Sequence, residues 1–287
     1  MNSHVAGALR PDGVAGIRLD RPDKLNALVE ASFEDLVAAA GRVARDSNVR
    51  AVVLHGAGRA FCAGLDLSNF DAGSEAPAER DPLATRTHGI ANLYQQAVMA
   101  WRNLPVPVIA AVHGVAFGGG LQFALGAEVR LVSSDARFSV MEIKWGVVPD
   151  MAWFGLMPQG IRADVMRELV YTGRVVSGEE SVVLGLTTGV SDAPLDEAAV
   201  WHLKSRNAAR GRYAAQNAYS IAPFLVTRRR RCWPSRRNRI DFWAISSRWS
   251  RFARASNIVL RNTPRQLPSF ESNGEGFQAA VENINLK

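Results

Sequence analysis

The chain has 287 residues, of which 47% are hydrophobic, and a formal net charge of +7. This length and composition exclude a wholly disordered protein and suffice for a large buried core. No apolar run approaches the ~18 residues of a membrane-spanning helix and the N-terminus lacks a basic-then-apolar export signal, so we expect a soluble, cytoplasmic protein with no membrane partner. The cysteines and histidines show no metal-ligand spacing, and we therefore expect no metal and no disulfide framework.

The positive charge is confined to one segment. Residues 201–260 contain 14 Lys and Arg against a single acid, Asp241, a net charge of +13, which leaves −6 for the rest of the chain. Thirteen of these 14 residues are Arg, and four of the seven tryptophans fall in the same segment. No helical or strand period persists there, so we predict a core at residues 1–200 and an atypical, poorly ordered region at residues 201–287.

The N-terminal part of the sequence predicts a strand, a helix and a second strand. The runs "AGIRLDRP" and "VRAVVLHGAG" have the apolar content of buried strands. Between them, "LVEASFEDLVAAAGRVARD" predicts an amphipathic helix, because its apolar residues recur at a spacing of three to four. These positions are Leu28, Phe33, Leu36, Val37, Ala40 and Val43.

The next elements continue the alternation. A polar loop, "DAGSEAPAERDP", precedes a predicted helix from about Thr85 to Asn103, and "LPVPVIAAVHG" predicts a buried strand. A short helix, "LQFALGA", a strand, "EVRLVSS", and a turn, "WGVVPD", follow. This alternation predicts an α/β architecture in which the loops after the strands carry the chemistry.

Two glycine-containing turns, "GRAFCAGLDL" and "GVAFGGGLQ", each follow an apolar strand. Glycine allows a substrate to approach the main chain, and a helix N-terminus presents unpaired N–H groups. Two such donors aimed at one point would form an oxyanion hole, in which each donor is worth about 100- to 1,000-fold in rate. Gly119 and Gln122 lie three residues apart and can face one cavity. The alternative is that the three glycines only permit close helix packing.

Four segments carry a family resemblance: "RPDKLNAL", "GRAFCAGLDL", the stretch from "PVPVIAAVHG" to "WGVVPD", and "YTGRVVSGEESVVLGL". In order and spacing they resemble the crotonase (enoyl-CoA hydratase/isomerase) superfamily over residues 10–200. The resemblance implies a spiral of ββα units with a C-terminal helical region, and a homotrimer or a dimer of trimers. It also implies an acyl-CoA thioester substrate in fatty acid metabolism and no cofactor beyond the CoA that the substrate carries.

The resemblance assigns binding roles by motif position. The thioester oxygen would be held by the backbone N–H groups of Leu65 and Gly119. The positions that correspond to the family's CoA contacts are Lys24, Ala27, Leu28, Ala63, Asp66 and Leu67.

The proton-handling positions differ from those of a simple hydratase. Family hydratases carry two glutamates, whereas this chain has Gln122 at the first position and Glu142 at the second. An amide cannot transfer a proton in acid–base catalysis, although it can orient a water. Asp150 stands where dienoyl-CoA isomerases of the family place an acid. Its alternative role is to N-cap a helix starting at "MAWFG".

Three functional interpretations follow. The favoured one is an isomerase that stabilises a thioester enolate and moves a proton with Glu142. The second is an enoyl-CoA hydratase, a lyase of fatty acid β-oxidation, in which Gln122 orients water and Glu142 transfers every proton. The third gives the basic segment the decisive role, either as an RNA-binding tail or as a defect that leaves the protein inactive. Among these, a nucleic-acid partner is disfavoured.

The Arg-rich composition suggests an origin for the defect. Family members would carry amphipathic helices here that close the acyl pocket and build the trimer contact. GC-rich codons read out of frame favour Arg, Ala, Pro, Ser and Trp. We therefore hypothesise a frameshift near Trp201, with poor solubility and weak activity as its consequences.

Overall fold

The computed structural model describes residues 4–66, 86–157 and 160–204. The elements of its N-terminal half are strands β1 (Val5–Leu9) and β2 (Val14–Leu19), helix α1 (Glu30–Arg45), strand β3 (Ala51–Gly56), helix α2 (Leu93–Arg102), strands β4 (Val108–Val112) and β5 (Val115–Phe117), and helix α3 (Gly119–Ala124). A 3₁₀ helix, Pro22–Lys24, lies between β2 and α1.

The later elements are shorter. They are β6 (Val129–Val132), β7 (Arg137–Ser139), a 3₁₀ helix (Met141–Trp145), α4 (Trp153–Leu156), α5 (Ala163–Thr172), β8 (Val176–Ser177), α6 (Gly178–Val183), β9 (Gly189–Val190) and α7 (Pro194–Lys204). Helix α7 passes through the predicted boundary at residue 200, and Trp201 packs against the core from its last turns.

The described strands form two mixed sheets, which confirms the predicted α/β class. The larger sheet has the order β1-β2-β3-β4-β6-β9, antiparallel between β1 and β2 and parallel elsewhere. The smaller sheet has the order β5-β7-β8. Because β4 and β6 lie in the larger sheet while β5 and β7 lie in the smaller one, successive strands alternate between the layers.

Both faces of the central strands β3 and β4 of the larger sheet are buried. Along β3, Val52 and Leu54 face the main core, while Ala51 and Val53 face a second cluster that Ala198 of α7 covers. This two-residue alternation explains why the central strands are almost continuously apolar. Helix α1 packs on the main-core side, where four of its predicted apolar positions are buried and Val37 is partly buried. Leu28, the sixth predicted position, is buried but precedes the helix, which begins at Glu30.

The prediction for helix α2 is wrong at its N-terminal end. The helix begins at Leu93 rather than near Thr85, and residues 86–92 are not helical but contain a turn at Gly89 and Ile90. The Asn92 side chain accepts from the Gln95 backbone N–H at 2.8 Å, and the Gln95 side chain accepts from the Asn92 N–H at 3.1 Å. This reciprocal capping box fixes the start of the helix. The polar loop at residues 71–82 lies outside the described residues.

Candidate active site

The two glycine-containing turns lie next to each other in the structure. Cys62 pairs in parallel with Ala116, and its N–H donates to the Val115 carbonyl at 2.9 Å. Leu65 and Gly119 each lie three residues beyond this pair, so the parallel register carries both to the same end of the smaller sheet. A Cβ built on Gly64 would lie 3.7 Å from the Gly119 nitrogen, which shows how closely the two turns approach.

The N–H groups of Leu65 and Gly119 are unpaired within the described part of the chain. Gly119 is the first residue of α3, where an N–H has no intrahelical acceptor. Next to Leu65, the Gly64 carbonyl accepts from the Leu28 N–H at 2.7 Å, and the Asp66 N–H donates to the Leu28 carbonyl at 2.9 Å. Because consecutive N–H groups in a ladder point to opposite sides, that of Leu65 points away from Leu28.

The three consecutive glycines have different surroundings. Gly118 has φ of 49°, in the left-handed region, and a Cβ there would lie 3.5 to 3.7 Å from the carboxyl atoms of Glu142. A Cβ on Gly120 would lie 2.4 Å from the Cys62 carbonyl oxygen, so the packing interpretation holds for this residue. A Cβ on Gly119 would meet Met151 at 3.1 Å and Leu28 at 3.4 Å.

The side chains of Gln122 and Glu142 are in direct contact. Helix α3 is buried along its whole length, and Gln122 is 2% exposed. Its Nε2 donates to Glu142 Oε1 at 2.6 Å. Its Oε1 accepts from the backbone N–H groups of Ala152 and Trp153 at 3.0 and 3.2 Å. Gln122 therefore joins Glu142 to the start of helix α4.

The environment of Glu142 favours its neutral form. The residue lies in the 3₁₀ helix that follows β7 and is 8% exposed. Burial raises the pKa of its carboxyl from 4.5 to about 7, hydrogen bonds from its own backbone and from Gln122 oppose the rise, and the negative charge of Asp150 adds to it. Oε2 has no hydrogen-bond partner among the described residues. A carboxyl with these properties can gain or lose a proton near neutral pH.

Asp150 lies within electrostatic reach of Glu142, but it does not cap helix α4. The helix begins at Trp153, its N-cap residue is Ala152, and the free N–H groups of both residues are satisfied by Gln122. The N-cap interpretation of Asp150 is therefore wrong. The Asp150 carbonyl accepts from Gln95 Nε2 at 3.2 Å, which ties this turn to helix α2.

Tyr94 is a further polar side chain near this group. Burial raises the pKa of its phenol, with smaller contributions in the same direction from Glu30 and Asp150, and its ring packs edge-on against Phe33 at 4.9 Å. Tyr94 was not predicted as a site residue, because nothing in its sequence neighbourhood distinguishes it from an ordinary core tyrosine.

The predicted CoA positions lie on two adjacent segments. Residues 25–28 pair with residues 63–66 through the parallel bridge between Leu28 and Leu65. Lys24 is exposed in the first 3₁₀ helix, whereas Ala27, Leu28 and Ala63 are buried. Asp66 forms an ion pair with Arg21 at 3.0 Å. Leu67 lies outside the described residues.

Asn26 and Arg21 hold these two segments together, and neither was predicted. Asn26 has φ of 56° and is 1% exposed. Its Oδ1 accepts from the Arg21 N–H at 2.9 Å, and its Nδ2 donates to the carbonyls of Ala57 and Ala60, both at 2.8 Å. The available signal was the residue type, since asparagine is enriched among residues with positive φ.

The described residues around this site include no set of side chains that could bind a metal ion. Across residues 4–66, 86–157 and 160–204, no three His, Cys, Asp or Glu side chains group so as to hold a metal ion. In the same residues, no helix is long and apolar enough to cross a membrane.

Comparison with known proteins identifies the family. The family model described as enoyl-CoA hydratase/isomerase matches residues 10–216. The "Probable enoyl-CoA hydratase" of Bacillus subtilis (strain 168) is 32% identical over 200 residues, which cover 70% of this chain and 72% of the relative. The mitochondrial Delta(3,5)-Delta(2,4)-dienoyl-CoA isomerase of Mus musculus is 31% identical over 191 residues, and the match covers 64% of this chain but only 58% of the mouse protein.

Solved structures of two Mycobacterium smegmatis proteins share the fold. An enoyl-CoA hydratase matches with a TM-score of 0.67 and 28% identity, covering 98% of this chain and 97% of that one. A monofunctional enoyl-CoA isomerase matches with a TM-score of 0.63 and 26% identity, covering 78% and 95%. These matches confirm the predicted crotonase-like α/β fold, and the chain belongs to the enoyl-CoA hydratase/isomerase family.

Proposed function

We propose that this protein shifts a carbon–carbon double bond in an acyl-CoA thioester, with Glu142 as the proton carrier. The observation that supports isomerisation over hydration is the hydrogen bonding of Gln122. Its oxygen accepts two backbone N–H groups and its nitrogen donates to Glu142, which uses three of the four bonds that an amide can make. No acceptor is left at residue 122 to orient an attacking water.

The proposed reaction needs two proton transfers and no water. Glu142 removes a proton from the carbon next to the thioester, and the electron pair moves onto the thioester oxygen. The N–H groups of Leu65 and Gly119 would stabilise that negative charge. Return of the proton two carbons further along leaves the double bond conjugated to the thioester and Glu142 ionised again.

The other site residues have supporting roles. Burial is the main cause of the raised pKa of Glu142, and the charge of Asp150 adds a smaller rise. The segment that contains Lys24, Ala27 and Leu28 and the turn at Ala63 and Asp66 would hold the CoA part of the substrate, with Leu67 continuing the second of them.

The assembly and the location of the protein are also proposals. We propose a homotrimer or a dimer of trimers, as the resemblance implies. The relatives include a bacterial protein and a mitochondrial one. A cytoplasmic location stays a prediction.

The experiment that tests the proposal compares substrates. The full-length protein is mixed with a 2-enoyl-CoA, a 3-enoyl-CoA and a 3,5-dienoyl-CoA, and absorbance and product mass are followed. We expect conversion of the 3-enoyl or the dienoyl compound without a gain of 18 Da, the mass of one water. Hydration of the 2-enoyl compound with no action on the others would replace isomerisation by hydration.

A further inference from the structure

The orientation of the Gln122 amide is fixed by its neighbours. Two backbone N–H groups, those of Ala152 and Trp153, point at Oε1. Reversing the amide would place its NH₂ group against two donors and leave both without an acceptor in a buried site. The start of helix α4 therefore dictates that the NH₂ group faces Glu142.

This orientation makes the two oxygens of Glu142 inequivalent. Oε1 accepts from Gln122 at 2.6 Å. Oε2 is buried and unpartnered within the described residues. The carboxyl lies 3.5 to 3.7 Å from the position that a Cβ on Gly118 would occupy, so the backbone of Gly118 packs directly beside it.

We propose that Gln122 is a positioning residue, which holds Glu142 by Oε1 so that Oε2 is the single atom that takes up and returns the proton. This inference rests on the proposed function and specifies how its site works. At the first step a C–H bond breaks and an O–H bond forms at Oε2, while the electron pair moves to the thioester oxygen. At the second step the same O–H bond breaks, a C–H bond forms, and the electron pair returns.

One consequence concerns the path of the hydrogen. A single buried oxygen delivers the proton to the same face of the acyl chain from which it came. A deuterium placed on the carbon next to the thioester should therefore appear in the product at a level well above that of exchange with solvent.

The test begins with Glu142 itself and needs no substrate. Selective ¹³C labelling of glutamate side chains follows the carboxyl by NMR, and the Glu142 signal is identified by its loss in Glu142→Gln. Gln122→Met keeps the volume but removes the donor to the charged carboxylate. We expect the titration midpoint of Glu142 to rise by about one pH unit or more.

A second variant preserves the cap of helix α4. Gln122→Glu retains an oxygen for the Ala152 and Trp153 N–H groups, so its fold should persist if Gln122→Met fails to fold. Its other oxygen would face Glu142 Oε1, and two carboxyls at this distance share one proton. We expect the last proton of the pair to leave at least about one pH unit above the wild-type midpoint.

Gln96→Glu is the matched control. It makes the same chemical change on the partly buried face of the neighbouring helix α2 and should leave the midpoint of Glu142 where it is. In activity assays, the two Gln122 variants should lower kcat more than tenfold with little change in KM, and should lose deuterium to solvent more readily than the wild type.

The results of these experiments distinguish the positioning role of Gln122 from the proposed isomerase function. An unchanged Glu142 midpoint in both Gln122 variants would overturn the positioning role, whatever the activity. The expected midpoints in a protein that acts on none of the three acyl-CoA substrates would uphold the contact and refute the proposed function. Complete loss of deuterium to solvent in the wild type would overturn the assignment of a single oxygen.

Discussion

Glu142 combines a buried carboxyl with one bound and one free oxygen. Its pKa of about 7 means that about half of the molecules carry the ionised base at neutral pH. Rate and stability should therefore both change as this residue titrates.

The activity should depend on pH through Glu142. The ionised form is the proton acceptor, so kcat/KM should rise with pH, fall about tenfold per pH unit below the midpoint, and level off above pH 7. The measurement is a pH–rate profile with the 3-enoyl-CoA substrate. A profile that is flat between pH 5 and 8 would contradict the role of Glu142 as base.

The free energy of unfolding should fall as the pH rises, whereas the activity should rise. The folded pKa of Glu142 lies above its usual value of 4.5, so below pH 4.5 both the folded and the unfolded chains are protonated and no stability is lost. As the pH rises to 7, the unfolded state ionises first, and up to roughly 3 kcal/mol of unfolding free energy is lost. Urea unfolding at pH 5 and pH 8 measures this difference.

A variant isolates this contribution. Glu142→Gln should remove most of the pH-dependent loss, whereas Glu179→Gln, at an exposed position, should retain it. The same pH dependence in Glu142→Gln and in the wild type would show that other groups cause it.

At the scale of elements, the lack of a side chain at Gly120 allows helix α3 to pack closely against the first glycine-containing turn. A methyl group there would lie 2.4 Å from a backbone oxygen and 2.7 Å from the Cβ of Cys62. Gly120→Ala should therefore cost about 1–3 kcal/mol of unfolding free energy. The measurement is thermal or urea unfolding.

Gly189→Ala is the control, because nothing lies within 4 Å of the Cβ that it would add. If the two alanine variants were equally stable, the close approach of α3 to the Cys62 segment would be refuted.

The sequence predicted elements well where one period dominates. The apolar spacing of helix α1 and the continuous apolar runs of β3 and β4 each permit one interpretation. The start of α2 was missed, because a reciprocal contact between Asn92 and Gln95 determines it rather than periodicity. The short strands β7, β8 and β9 are two or three residues long, too short to show a pattern.

The sequence assigned candidate residues to the site, and their roles stay predictions, but the contacts between these residues could not be predicted. The resemblance located Gln122 and Glu142 by motif position. That Gln122 caps helix α4 depends on residues 30 positions away along the chain, and sequence spacing carries no information about such a contact. The support that Arg21 and Asn26 give to the predicted CoA segments was missed for the same reason.

At the scale of the whole molecule, the C-terminal region departs from the family pattern. The basic, Trp-containing part beyond residue 204 lies outside the described residues, and so does the proposed RNA-binding tail. Helix α7 extends to Lys204, and the family model continues to residue 216. We therefore propose that the frameshift hypothesised near Trp201 begins at or after residue 216.

The reading-frame hypothesis predicts a specific result from the gene. Translating the two alternative frames downstream of codon 216 should yield, in one of them, an amphipathic helical sequence that contains Lys and Glu. If neither frame does so, the Arg-rich segment is native to the protein. Binding to unrelated RNA across a salt titration would then become the relevant assay.

The most direct test of the central claim is the turnover of Glu142→Gln on the 3-enoyl-CoA substrate, compared with that of Glu179→Gln. The amide is close in size to the carboxyl but cannot accept the proton, and the proposed thioester contacts are backbone groups that the substitution leaves in place. We predict a fall in kcat of at least about 100-fold with KM nearly unchanged in Glu142→Gln, and no change in Glu179→Gln. Turnover within a few-fold of the wild type in Glu142→Gln would contradict the account.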